Sequence, residues 1–207
     1  MARRTQAERR AATRLALMEA TVVCVVESGY GNVTSGQIAT RAGVTRGAQN
    51  YHFAGKAELV AAALEHMMNQ LVDEIRADPP GGDTPTDRAV ALLDRLWALH
   101  DTPGFKAAME IGIASRTDEE LRGHVEDLNR KVIGAVAEVV GEVLPEVTGH
   151  PDLVPVMLTV LAAVRGVAVV GLISSEEAVE SLWQTVRGQL VRYVSASVDN
   201  AIAGTAS

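Results

Sequence analysis

Arg46, Gln49 and Asn50 fall within one short stretch that opens at Thr45, with Gly47 and Ala48 between them. An arginine fork matches the acceptor pair of guanine in the major groove, and a side-chain amide matches the donor–acceptor pair of adenine. Small residues between them let a backbone approach a groove. Thr34, Ser35, Gln37, Thr45, Tyr51 and His52 add donors that suit phosphate oxygens. Lys56 brings a cation to the start of the next helical run, where the positive end of a helix favours an anion. The chemistry these residues offer is contact with nucleic acid. Gln49 also lies one helical turn before Phe53, a core candidate, which leaves an inward orientation open.

Two short helices and a tight turn position those side chains. Thr34 followed three residues later by Gln37 is a capping box, and Ile38, Ala39 and Ala42 give the helix it opens an apolar stripe. Gly43 tolerates the left-handed backbone that ends a helix, Val44 plugs the angle, and Thr45 caps the second helix. That is a helix-turn-helix. Gly29-Tyr30, Ile38-Ala39, Arg41-Ala42-Gly43-Val44, Gly47-Ala48, Tyr51-His52-Phe53 and Lys56 follow one another at a spacing that resembles the tetracycline-repressor (TetR) family of transcriptional regulators. The resemblance covers about the first 60 positions. It implies a DNA-binding domain over 1–55, a helical effector-binding and dimerisation domain over 56–207, and a homodimer on a palindromic operator. The repressor sign comes from the family alone. Gln49-Asn50 replaces a Leu-Tyr pair usual there, and Gly36 stands where some members place an arginine, so no relative's operator carries over.

Charge is distributed as that reading requires. The 207-residue chain carries a formal −7, but its first 60 residues hold eight Arg or Lys against four Asp or Glu, leaving −11 for the remainder. A basic head on an acidic body concentrates phosphate attraction at one end. Met1 to Arg10 reads as a basic arm able to follow a phosphate backbone or enter the minor groove. The single cysteine, Cys24, lies in the run Val22–Val26 and reads as a reduced core thiol. His52, His66, His100, His124 and His150 are too far apart for zinc-ligand spacing, and no nucleophile elbow, Walker loop or dinucleotide fingerprint occurs. No metal, no cofactor and no catalytic residue is therefore expected, and the arginine-rich start followed by Glu8 is not a secretory signal, so the chain reads as cytoplasmic.

Periodicity and breakers give an all-α chain of about nine helices. The first is expected over 13–28. A long helix over 56–78 ends at Pro79-Pro80, Thr84-Pro85 and Thr102-Pro103 restart two more, and Thr117 with Glu120 offers another capping box before a helix reaching Leu144. The run 156–173 contains no charge except Arg165 and would be costly to insert in a membrane, so burial against protein is expected instead. Val179, Leu182, Val186, Leu190 and Tyr193 recur at helix-packing steps, with Gly166 permitting close approach; the resemblance implies that these residues form the dimer interface. Trp97, His100, Phe105, Met109, Glu110, Ile113, Asn129, Met157, Leu161 and Arg165 are the candidate lining of an effector pocket, a plain core being the bland reading of the same stripe. Arg165 must meet an acid such as Glu110, a carboxylate across a dimer seam, or a ligand. A helical small-molecule-binding protein with a weak or vestigial DNA-binding head is the alternative from a different class.

Overall fold

The computed structural model describes residues 5–100 and 102–205. Arg3 and Arg4 of the expected arm lie outside them. The described residues form nine α-helices and no strand: α1 Gln6–Ser28, α2 Ser35–Arg41, α3 Arg46–His52, α4 Lys56–Ala77, α5 Pro85–His100, α6 Pro103–Ala114, α7 Glu119–Val143, α8 Leu153–Gly171 and α9 Glu176–Thr205, with a 3-10 turn at Pro145–Val147. The all-α expectation holds.

Two boundaries correct the sequence reading. The first helix starts at Gln6, not near 13, because Thr5 and Glu8 form a reciprocal cap: Thr5 Oγ1 accepts from the Glu8 amide at 3.2 Å and Glu8 Oε2 from the Thr5 amide at 2.7 Å. Arg9 and Arg10 therefore ride on a helix. The cap of α7 is Asp118, whose Oδ1 accepts from the Leu121 amide at 3.0 Å, and not Thr117, whose hydroxyl donates back to Ala114.

The chain divides into two compact units, 1–70 with 103–131, and 71–102 with 132–207. In the first, Leu17, Cys24 and Val25 of α1 meet Ile38, Phe53, Leu59 and Val60, and also Ala107 and Ile111 of α6 and Leu121 of α7. The helix-turn-helix thus shares its core with α6 and the start of α7. Gly29 closes α1 with φ 75°, a conformation that side chains disfavour, while its amide bonds to Val25 O at 2.8 Å.

In the second unit, α5, α8 and α9 surround Leu93, Val164, Val167, Trp183 and Leu190, with Trp97 stacked on Trp183 at 4.2 Å between ring centres. A second cluster joins Ala89, Leu144, Val147, Val194, Val198 and Ala201. Arg187 grips Asp94 with two bonds of 2.6 Å, fixing α9 to α5. One residue of the expected dimer seam, Leu190, needs correcting here. Leu190 is buried in the protomer's own core, and Val179, Leu182 and Val186 are half-buried against it, because α9 packs this face, with its own Trp183, on α5 and α8. Tyr193 and Gly166 are exposed. Only 22% of the apolar stretch of α8 is buried, and Val154, Leu158, Val169 and Val170 are exposed within the protomer.

Candidate nucleic-acid interface

Each element of the helix-turn-helix is fixed by a short-range cap. Thr34 Oγ1 accepts from the Gln37 amide at 3.3 Å while Gln37 Oε1 accepts from the Thr34 amide at 2.7 Å, the box anticipated from sequence. At the far end Gly43 takes φ 68°, and its amide and that of Val44 return to Thr40 O and Ala39 O at 3.1 and 3.0 Å. This is a Schellman stop. Thr45 Oγ1 then accepts from the Ala48 amide at 3.1 Å and opens α3. An ion pair from Arg41 to Glu27 ties α2 to α1.

On α3 the exposed residues are Arg46, Gly47, Asn50 and Tyr51, at steps that place them on one side of the helix. Tyr51 is 68% exposed, so its phenol is presented outward and not buried in the core. Ser35, Ala48 and His52 are half-buried beside this face, and Thr34, Gln37 and Thr45 are exposed at its margins. Gln49 is not part of it. Its side chain is 1% exposed, one turn from Phe53 at 2%, and its Oε1 accepts no hydrogen bond among the described residues, so the inward orientation is the one adopted.

Lys56 also departs from expectation. Its ammonium donates to Tyr30 O at 2.7 Å and Val33 O at 2.9 Å and sits 3.9 Å from the Tyr30 ring centre. Burial lowers its pKa, and Asp118 offsets part of that. The carbonyls left open beyond the end of α1 are better partners for a buried cation than none, so Lys56 ties the head together instead of standing free for phosphate.

Two exposed arginines of α1 stand over the aromatic rings at the end of α3. The Arg10 guanidinium lies 5.1 Å from the centre of the Tyr51 ring, and that of Arg14 lies 4.5 Å from the Phe53 ring. Both are exposed. They stand one turn apart on α1, beside the C-terminal end of α3. His52 sits among them: burial, then the charges of Arg10 and Arg14, lower its pKa, so it is neutral near pH 7. The signal was present in Thr5-x-x-Glu8, which extends α1 far enough to put Arg10 and Arg14 on one helical face.

The candidate ligand residues divide between the units. Phe105, Met109, Glu110, Ile113 and Asn129 belong to the first, and Trp97, His100, Met157, Leu161 and Arg165 to the second. Glu110 accepts a bond from the Tyr30 amide at 2.7 Å, a structural role. Ile113 is 55% exposed and Asn129 is exposed, which does not fit enclosed lining within their unit. Phe105 and Met109 are half-buried. In the second unit Met157, Leu161 and His100 are buried and Trp97 and Arg165 half-buried. His100 Nδ1 lies 2.6 Å from Leu96 O, and burial above all pushes its pKa down to about 4. No group of three or more metal-ligating side chains occurs among the described residues.

The match to known proteins follows this geometry. Residues 17–63, from the core of α1 through the helix-turn-helix into α4, match the model of bacterial regulatory proteins, tetR family. The chain is 32% identical to the HTH-type transcriptional regulator Rv2912c of Mycobacterium tuberculosis over 79% of its own length and 88% of that protein's. It is 27% identical to the HTH-type transcriptional regulator CymR of Pseudomonas putida over 95% and 93% of the two chains. Among solved structures it is similar to the transcriptional regulator FadR of Bacillus subtilis in complex with stearoyl-CoA, with TM-score 0.63 and 16% identity over 86% and 97% of the two chains. The matched helix-turn-helix and the near full-length relatives together show that the chain belongs to the tetR family, whose members are ligand-responsive DNA-binding repressors of transcription.

Proposed function

We propose that the chain acts as a homodimeric repressor that holds a palindromic operator and leaves it when a small, mostly apolar effector binds. Residues 1–55 form the DNA-binding part and 56–207 the part that binds the effector and dimerises. The observation that carries this reading is the exposed face of α3, with Arg46 and Asn50 presented for base edges and Arg10, Arg14 and Tyr51 flanking them for the backbone. Two-fold symmetry then places two copies of α3 about 34–36 Å apart on one side of the duplex, or a multiple of it.

The dimer is supported by α8. Val154, Leu158, Ala162, Gly166 and Val169 are all exposed and follow one another at helical steps, opposite the buried Met157, Leu161, Val164 and Val167. A second copy is the cover we assign to that stripe. The effector reading is supported by the apolar second unit and by the similar fold of FadR, which is in complex with stearoyl-CoA. Action on DNA places the chain in the cytoplasm, and the reading assigns it no reaction and no cofactor. Selection of duplexes from a random pool, followed by release with metabolite extracts, tests it: a recovered inverted repeat and loss of binding with one extract support it, and recovery without symmetry counts against it.

A further inference from the structure

We infer that Arg165 is the anchor for an acidic effector, so that the ligand is an organic monocarboxylate whose remainder is apolar; this rests on the effector reading above. Arg165 is the single charged residue of α8. Among the described residues its guanidinium has no ion pair and no hydrogen bond, although the same unit pairs Arg76 with Glu142, Arg88 with Glu146 and Arg187 with Asp94. Glu110, the acid anticipated for it, is held by the Tyr30 amide. Arg165 is half-buried, and burial alone depresses its pKa. A cation taken partly out of water without a counter-ion is a standing cost, and a guanidinium relieves it best with a planar two-oxygen anion.

The surroundings narrow the ligand class further. Among the described residues, His100 lies within electrostatic reach of Arg165 and is kept neutral by its burial, so it adds no second positive charge beside the guanidinium, which suits a single carboxylate. One and two turns back along the same face of α8 stand Leu161 and Met157, which offer only apolar contact. The rest of the ligand must accordingly be hydrocarbon. Trp97, stacked between Trp183 and His100 with ring-centre distances of 4.2 and 6.2 Å, lies beside this site in the same unit.

The chain has two tryptophans, and they are this stacked pair, so intrinsic fluorescence reports on the site. The full-length protein is titrated with straight-chain and aryl monocarboxylates, octanoate and 3-phenylpropanoate among them, and in parallel with their primary amides. The acids are expected to bind about ten- to a hundredfold more tightly than the amides. Arg165→Met should erase that preference and Arg165→Lys should retain part of it. Equal binding of acids and amides, persistence of the preference in Arg165→Met, or no response to any acid at millimolar concentration each overturns the inference. If Arg165→Met fails to fold, the wild-type comparison and Arg165→Lys still decide. The same preparations are assayed on the selected duplex: duplex binding without acid preference removes the anion site and leaves the regulator standing, whereas failure to select any duplex removes the regulator reading itself.

Discussion

The Glu110 carboxylate on α6 accepts a hydrogen bond of 2.7 Å from the backbone amide of Tyr30, the residue that follows the end of α1. Gly29 makes room for it: a Cβ there would stand 2.7 Å from Glu110 Oε1. From Tyr30 the connection continues through its carbonyl to Lys56, and from Lys56 to Val33 O, one residue before the cap of α2. Tyr30 Oη also donates to Asp118 at 3.2 Å, and burial with that carboxylate pushes the phenol up to about 12. These bonds form a continuous polar link from α6 to the residue before the cap of α2.

Glu110→Ala removes a charge-assisted bond at a partly exposed site. It should lower stability by about 1–2 kcal/mol, read as a shifted urea midpoint with an unchanged m-value. Glu126→Ala, on exposed α7 surface, serves as the neutral control. Equal midpoints for the two variants would remove the structural role given to Glu110.

Lys56→Met and the double variant Arg10→Gln/Arg14→Gln separate structure from phosphate binding. Lys56→Met should cost about 2 kcal/mol of stability and leave the salt dependence of DNA binding unchanged. The arginine pair should leave stability nearly intact and flatten the logarithmic salt slope by about one for each phosphate no longer neutralised. A flattened slope in Lys56→Met would return the phosphate role to that lysine.

Burial holds the imidazole of His100 neutral, with its pKa lowered from 6.5 to about 4. Between these values the unfolded chain binds a proton that the folded chain does not. The stabilisation is therefore complete above about pH 6.5 and fades as pH falls toward 4, by at most about 3 kcal/mol. Stability curves at several pH values should show this slope in the wild type and a shallower one in His100→Gln. Parallel curves would contradict the burial argument.

Leu158→Glu, in the exposed stripe of α8, should yield a folded monomer by sedimentation. Leu190→Glu, placed in the protomer core, should instead unfold the chain. A folded dimer in Leu158→Glu would move the interface elsewhere.

Local signals made much of this legible. Thr34 with Gln37, Gly43, Thr45, Pro85 and Pro103 punctuate the helices as their chemistry requires, and the turn unit follows from them. What sequence does not reveal depends on contacts between distant positions. Tyr30 and Glu110 are 80 residues apart, so nothing local marks Glu110 as a partner of α1. Lys56 reads as a phosphate ligand until the carbonyls of Tyr30 and Val33 are seen to surround it. The apolar repeat on α9 shows that a face is buried but not whose surface buries it, so Leu190 reads as an interface residue although it belongs to its own protomer's core. Thr5 and Glu8 are a readable cap, obscured by the basic residues on either side of them.

The role of α3 is tested most directly by equilibrium binding of wild type and Arg46→Ala to the selected duplex and to a scrambled duplex at several salt concentrations. If Arg46 reads a base, Arg46→Ala loses about 1–3 kcal/mol on the selected duplex while its weak, salt-dependent binding to the scrambled one is nearly unchanged. Equal losses on both duplexes would contradict sequence reading by this face.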